Sequence, residues 1–307
     1  MPVLVGTSGW NYPGGRGTWN GIFYPSPRPR GFDELRYYAE RFDTVEVNST
    51  FYRSPEAAVV SNWLRRTPSS FLFSVKLFQK FTHPDMYLAR PGVTDWDVTR
   101  GDLDAFRMGI EPIAASGRLA ALLLQFPPSF HVGPDTRGYL EWLASALASY
   151  PLAVELRHRS WSDDAAATKA LLDAHRAAWV WIDEPKFATS IRQSSSDLAA
   201  TSTGGLAYVR LHGRNAEQWW EHEHAEDRYD YLYSASELAP IAEAATAAAS
   251  TGRRVLLYFN NHFSAKAVAS AVVLRQQLGD LVPGDYPAEI VARYPELTDI
   301  VRTTGLF

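Results

Sequence analysis

DTVEVNSTFYRSP, residues 43–55, opens as a buried strand and closes as the start of a helix. Val45 and Val47 are apolar, while Glu46 and Asn48 share the opposite face, because side chains alternate along a strand. The pattern breaks at Ser49–Thr50–Phe51–Tyr52, and Ser54, Pro55 and Glu56 supply a cap, a first-turn proline and an acid for a following helix. An apolar strand therefore carries polar side chains at its C-terminal end and leads into a helix.

Working outward, the same unit recurs. Apolar runs predict strands at 3–6, 44–48, 71–76, 120–125, 153–157, 178–183, 207–212 and 255–260. Helical spacing predicts helices at 32–42, from Ser54–Pro55–Glu56 onward, and at 102–116, 135–149, 163–177, 236–251 and 264–278, with Ser236 and Ser264 as N-caps. The segment 184–205 is rich in Ser and Thr and gives the weakest helical pattern. Eight strands, each with a helix or a place for one, predict an α/β fold, a (β/α)₈ TIM barrel. An open doubly wound sheet is the rival, but no glycine-rich nucleotide turn follows the first strand. The expectation is one domain over residues 1–307, with the barrel at about 3–279. An extension at 280–307, with a short helix near 288–294, is placed over the barrel's lower end.

Composition narrows the function classes. A chain of 307 residues with 46% hydrophobic and 21% charged residues reads as soluble and globular. A formal charge of −4 argues against a surface built to coat nucleic acid. The absence of cysteine excludes disulfides and thiolate chemistry. No run of about 18 apolar residues is present, so no membrane segment is expected and the location is read as cytoplasmic.

Active sites of such barrels lie at the C-terminal strand ends. Those ends carry Ser8 and Trp10, Glu46 and Asn48, Ser74 and Lys76, Gln125, Glu155 and Arg157, Asp183, Arg210 and His212, and Tyr258 and Asn260. Five strands end in a polar pair spaced two apart, so both members face one way. Turned toward helices these groups would be buried at several kcal/mol each, so they are expected to converge on the barrel mouth. Ion pairing inside the barrel, of Glu46 with Lys76 or Glu155 with Arg157 or Arg210, is the structural alternative. Loops at 9–31, 77–100 and 213–234 are long and aromatic, with His83 in the second and Tyr231 in the third; they read as the walls and lid of a cleft.

The carboxylates Glu46, Glu155 and Asp183 with His212 could in principle hold a divalent metal. Lys76, Arg157 and Arg210 oppose one, at about 4 kcal/mol per unit-charge pair at 4 Å and an effective dielectric of about 20. No metal site and no cofactor are therefore assigned. His222–Glu223–His224 reads as a solvated loop segment. Arg157, Arg210 and Arg214 instead suggest an anionic ligand, with Lys76 as a point charge. Glu46, Glu155 or Asp183 would be the general acid or base and His212 a proton carrier.

GTSGW (6–10), FYP (23–25), VEVNSTFYRSP (45–55), the spacing from Lys76 to Thr82–His83, QFPPSF (125–130), ELRHRSW (155–161), VRLHGR (209–214), RYDY (228–231) and YFNNH (258–262) occur in order. Together they resemble the domain of unknown function 72 family, also called YecE-like. The resemblance implies a TIM barrel and a family without a settled activity.

The expected site comprises Glu46, Glu155, Asp183 and His212 as catalytic groups. Trp10, Asn48, Tyr52, Lys76, His83, Gln125, Arg157, Arg210, Arg214, Tyr231, Tyr258, Asn260 and Asn261 are the binding groups. The expected function is an enzyme acting on a small anionic or polyhydroxylated substrate. The alternatives are a metal-dependent phosphodiesterase acting on nucleic acid and a non-catalytic anion-binding protein. The oligomeric state is left open.

Overall fold

The computed structural model describes residues 3–198, 204–220, 223–224 and 226–304. Its barrel strands are β1 (Val3–Thr7), β2 (Thr44–Val47), β3 (Leu72–Lys76), β4 (Leu119–Gln125), β5 (Leu152–Glu155), β6 (Ala178–Trp179), β7 (Trp181–Asp183), β8 (Leu206–Leu211) and β9 (Arg254–Phe259). The helices between them are α1 (Glu34–Ala39), α2 (Ser49–Tyr52), α3 (Ala57–Arg65), α4 (Pro84–Leu88), α5 (Arg100–Ala115), α6 (Pro134–Ala146), α7 (Ser160–Asp163), α8 (Ala165–Ala174), α9 (Ala235–Ser250) and α10 (Lys266–Gln277). After them come β10 (Asp285–Tyr286), α11 (Ala288–Arg293) and β11 (Arg302–Thr303). This is the (β/α)₈ plan, with β6 and β7 the two halves of the sixth barrel strand. Among the described residues the connection after β7 holds only a 3₁₀ turn, Ser195–Leu198.

All barrel pairings are parallel, and they fall into two sheets, β2-β3-β4-β5-β6 and β1-β9-β8-β7. The sheets meet at two seams, and at each a side chain takes the place of part of the ladder. At the first, the Tyr38 hydroxyl accepts from the Thr7 N–H at 2.9 Å and donates to the Thr44 carbonyl at 3.1 Å. Above it Ser8 bridges Glu46, and Gly9 N–H donates to the Glu46 carbonyl at 2.8 Å. Gly6 is required there: a Cβ on it would sit 2.3 Å from the Thr44 carbonyl oxygen. At the second seam the Gln193 amide accepts from Ile182 N–H and donates to the Val180 carbonyl, each at 3.1 Å. Segment 189–193 is inserted there, with Ile191 N–H donating to the Arg157 carbonyl at 2.8 Å. The insertion parts the fifth and sixth strands at the top and accounts for the break between β6 and β7.

Several local expectations are corrected. Helix α9 is capped by Ser234, not Ser236, in a capping box with Glu237. Helix α10 starts after Ser264 and Ala265, both at positive φ, so Ser264 caps nothing. Residues 49–52 form the short helix α2, and α3 begins only after Glu56, which makes no side-chain cap bond. Of the aromatics expected to wall a cleft, Trp19, Phe23 and Tyr24 are fully buried in the hydrophobic core, packed with Tyr37, Tyr38 and Phe42. Aromatic rings in a long loop need an apolar partner, and the outer side of α1 provides it. The C-terminal segment lies along this flank. Tyr286 packs near Phe23, Arg41 donates to the Asp285 carbonyl, and Tyr294 donates to the Ser264 carbonyl. No helix among the described residues is long and apolar enough to cross a membrane.

Replacing Tyr38 by Phe keeps the ring and orphans the Thr7 N–H. A buried unsatisfied donor costs about 1–3 kcal/mol. Urea unfolding should show a loss of that size, with the far-UV spectrum of the folded protein unchanged.

Candidate functional site

The strand ends enclose a cavity of about 960 Å³ at the C-terminal mouth of the barrel. Its floor is a three-residue charge network. Arg210, on β8, donates through Nε to Glu46 Oε2 at 2.9 Å and through Nη2 to Glu46 Oε1 at 2.8 Å. Its Nη1 donates to Glu155 Oε2 at 2.7 Å. One guanidinium thereby ties β2 to β5 across the barrel, and all three side chains are essentially buried. Glu46 also accepts from Ser8 Oγ and Tyr208 OH, both at 2.8 Å. Beneath it, Tyr258 OH sits 2.6 Å from Thr44 Oγ1 and 3.0 Å from Ser74 Oγ.

Neighbouring charge sets the protonation states. Burial pushes the Glu155 carboxyl up, but Arg210, His212 and Arg157 together outweigh it and hold the group well below the usual carboxylate range. Burial also works against the Arg210 charge, and Glu155 and Glu46 more than reverse that effect. His212 is held below its ordinary value by burial and then by Arg210, so it is neutral at neutral pH. Its Nδ1 lies 3.0 Å from Asn260 Nδ2, and its Nε2 lies 3.7 Å from Glu155 Oε1. That Glu155 oxygen is buried without a hydrogen-bond partner, as are Arg157 Nε and Asn48 Oδ1. The two loose ends of Glu155 and Arg157 face one another at 3.9 Å.

Lys76 ends β3 and lines the cavity. Its Nζ lies 3.9 Å from the centre of the Phe51 ring. Burial, followed by the Arg210 charge, pulls its amine down to about 7. The other four lysines of the chain each reach an oxygen: Lys80 on Asp102, Lys169 on Asp173, Lys266 on Asp230, and Lys186 on the Ile182 carbonyl. Among the described residues Lys76 has neither an ion-pair nor a hydrogen-bond partner. Of the alternative ion pairs, Glu46–Lys76 is not formed, because Arg210 occupies both Glu46 oxygens, whereas Glu155–Arg210 is.

Ten of the expected site residues line this cavity: Trp10, Asn48, Tyr52, Lys76, His83, Gln125, Arg157, Arg210, His212 and Asn260. Glu46 and Glu155 lie just behind Arg210. Five others are elsewhere. Asp183 is locked to Arg214 at 2.6 Å, with Tyr233 OH at 3.2 Å. Arg214 reaches on to Glu237, which also accepts from Tyr231. Tyr258 is in the interior layer below the floor, and Asn261 donates to the Tyr231 carbonyl and to Ser270. Neither Arg214 nor Asp183 therefore stands on the cavity wall.

Arg157, the remaining expected anion binder, is paired with Glu184 and packs its guanidinium 5.7 Å from the Trp219 ring. The sequence pass missed Glu184. It also missed His262, whose ring stacks on Tyr12 at 4.7 Å and lies 5.0 Å from Tyr229; burial pulls it down to about 4. The YFNNH block that contains His262 was the signal available. Of the 222–224 segment, His222 lies outside the described residues. No group of three or more His, Asp or Glu side chains placed to hold a metal ion occurs among the described residues.

A parallel α/β barrel with a polar, charge-floored cavity at its C-terminal strand ends is the architecture of a ligand-binding or catalytic TIM barrel. The family model "Protein of unknown function DUF72" matches residues 4–289, and the chain belongs to that family. It is 27% identical over 266 residues to the UPF0759 protein YunF of Bacillus subtilis (strain 168), covering 85% of this chain and 89% of that one. A DUF72 family protein of Thermotoga maritima MSB8, TM1631, superposes with a TM-score of 0.74 at 33% identity, covering 91% of this chain and all of that one. A second, EF0366 of Enterococcus faecalis V583, gives a TM-score of 0.76 at 22% identity, with 91% and 96% covered.

Replacing Arg210 by Met leaves Glu46 buried without its counter-charge and Glu155 with only Arg157 at 3.9 Å. Breaking a buried pair in this way costs about 3–5 kcal/mol. Denaturant unfolding should show that loss, and the double variant Glu46→Gln/Arg210→Met should be more stable than Arg210→Met alone, because one stranded charge is gone.

Proposed function

We propose that the chain is an enzyme that moves protons on a small polyhydroxylated substrate, with Lys76 as the base and His212 as a second proton carrier. The observation that carries this reading is the unpartnered Lys76 amine on the floor of a cavity where Arg157 and Arg210 are both engaged by carboxylates. A lysine freed from ion pairing and poised near neutrality is suited to accept a proton at physiological pH.

The walls fit the substrate class. Trp10, Phe51, Tyr52 and Tyr229 offer ring faces, while Asn48, Gln125, His83 and Asn260 offer amide and imidazole groups for hydroxyls. A strongly anionic substrate fits less well. Arg157 is engaged by Glu184, Arg210 by Glu46 and Glu155, and Arg214 by Asp183 away from the cavity. The phosphodiesterase reading would need Glu46 and Asp183 as metal ligands, and arginines hold both.

Glu46, with both oxygens filled by Arg210, Ser8 and Tyr208, acts here as a positioning group rather than as the acid or base first expected of it. Glu155, with one open oxygen near His212, orients that imidazole.

A screen of wild type against a library of sugars, sugar acids and polyols should find turnover that falls at least about 100-fold in Lys76→Met, the scale of a lost acid–base group. The neutral amine is the active form, so kcat should be low below about 7 and rise to a plateau above it. Turnover unchanged in Lys76→Met would remove Lys76 from the chemistry.

A further inference from the structure

We propose that Lys76 forms an imine with the carbonyl group of an aldehyde or ketone substrate, such as the open-chain form of a small sugar. The proposal rests on the reading of the cavity as a catalytic site and adds the covalent chemistry. Its first support is geometric. Lys76 is the end residue of β3, lines the cavity, and among the described residues is the one lysine whose amine reaches no oxygen acceptor. The Phe51 ring at 3.9 Å shields one side of the nitrogen from water. An amine kept only for charge would be paired, as Arg157 and Arg210 are; a nucleophile needs its lone pair uncommitted.

The second support is the charge balance around it. Burial and then Arg210 oppose a cation at this nitrogen, while Glu155 and Glu46 favour one. A proton on Lys76 is therefore loosely held. An iminium ion places its charge in the same field as part of a covalent bond. The same surroundings thus release the amine for attack and accommodate the cation that attack produces.

In the step itself the nitrogen lone pair forms the C–N bond and the carbonyl oxygen leaves as water. That water carries one proton from the amine nitrogen and one taken from solvent, leaving a protonated imine and no change in oxidation state. Carbon acidity next to the iminium would then serve proton transfer by His212, whose Nε2 stands 3.7 Å from Glu155.

The test is reductive trapping. The whole protein is incubated with dihydroxyacetone, and separately with pyruvate, in the presence of sodium cyanoborohydride near neutral pH, followed by peptide mapping. The expected result is an adduct on Lys76 that forms at least about 10-fold faster than on the ion-paired Lys80, Lys169 or Lys266, because ordinary lysines are almost wholly protonated there. The labelling rate should rise as the pH rises through about 7. Lys76→Arg and Lys76→Met, checked for a wild-type melting curve, should lose that fast phase.

Label spread over the lysines with no preference for Lys76 would overturn the imine. Turnover that depends on Lys76 but yields no trapped adduct would overturn the imine and keep the acid–base reading. Selective trapping with no turnover of any library compound would keep the imine and overturn the reading of the cavity as an enzyme site.

Discussion

One guanidinium organises the mouth of this barrel. Arg210 reaches from β8 to Glu46 on β2 and Glu155 on β5, with every donor–acceptor distance between 2.7 and 2.9 Å. Three charges removed from water cost several kcal/mol each before their mutual attraction is counted, so the network is retained only where its geometry is complete. It is complete for Glu46, which also holds Ser8 and Tyr208. It is left open at Glu155, whose second oxygen has no hydrogen-bond partner. That asymmetry separates two carboxylates that look equivalent along the chain: Glu46 belongs to the frame, and Glu155 faces the cavity's chemistry.

The same network decides what Lys76 is. With Arg210 bound to both Glu46 oxygens and to Glu155 Oε2, no ion pair holds the Lys76 amine, and burial followed by the Arg210 charge loosens its proton. Glu155 Oε1, Arg157 Nε and Asn48 Oδ1 are also buried without hydrogen-bond partners. Buried polar atoms without partners are uncommon in folded proteins and cluster where a ligand or a reaction needs them. At the second seam Gln193 satisfies the split sixth strand, and segment 189–193 pairs with the chain beside Arg157.

Much of this was legible from alternation alone. Glu46 and Asn48, Ser74 and Lys76, Glu155 and Arg157, and Arg210 and His212 were placed on the interior face by parity, which is a property of any strand. What parity cannot supply is which opposite charges meet. The Arg210 bridges join residues 164 and 55 positions apart, and only the folded sheets bring them together. Arg214 misled for a related reason. It sits two residues after His212, yet the chain has left the strand by then and the side chain turns to Asp183 outside the cavity. The loop aromatics misled because composition reports that rings are present and not which surface they cover. Trp19 and Phe23 cover α1, whereas Trp10 and Tyr12 from the same loop line the cavity. Glu184 and His262 carried no periodic signal and emerged only from their contacts with Arg157 and with Tyr12.

The central claim is that the buried arginine clamp leaves Lys76 with an amine that is half deprotonated near neutrality. Titrating the ¹³Cε-labelled lysine signals of the protein by NMR tests it directly. The resonance missing in Lys76→Arg should titrate at about 7. If it instead titrates near the ordinary lysine value of about 10.4, the claim is contradicted.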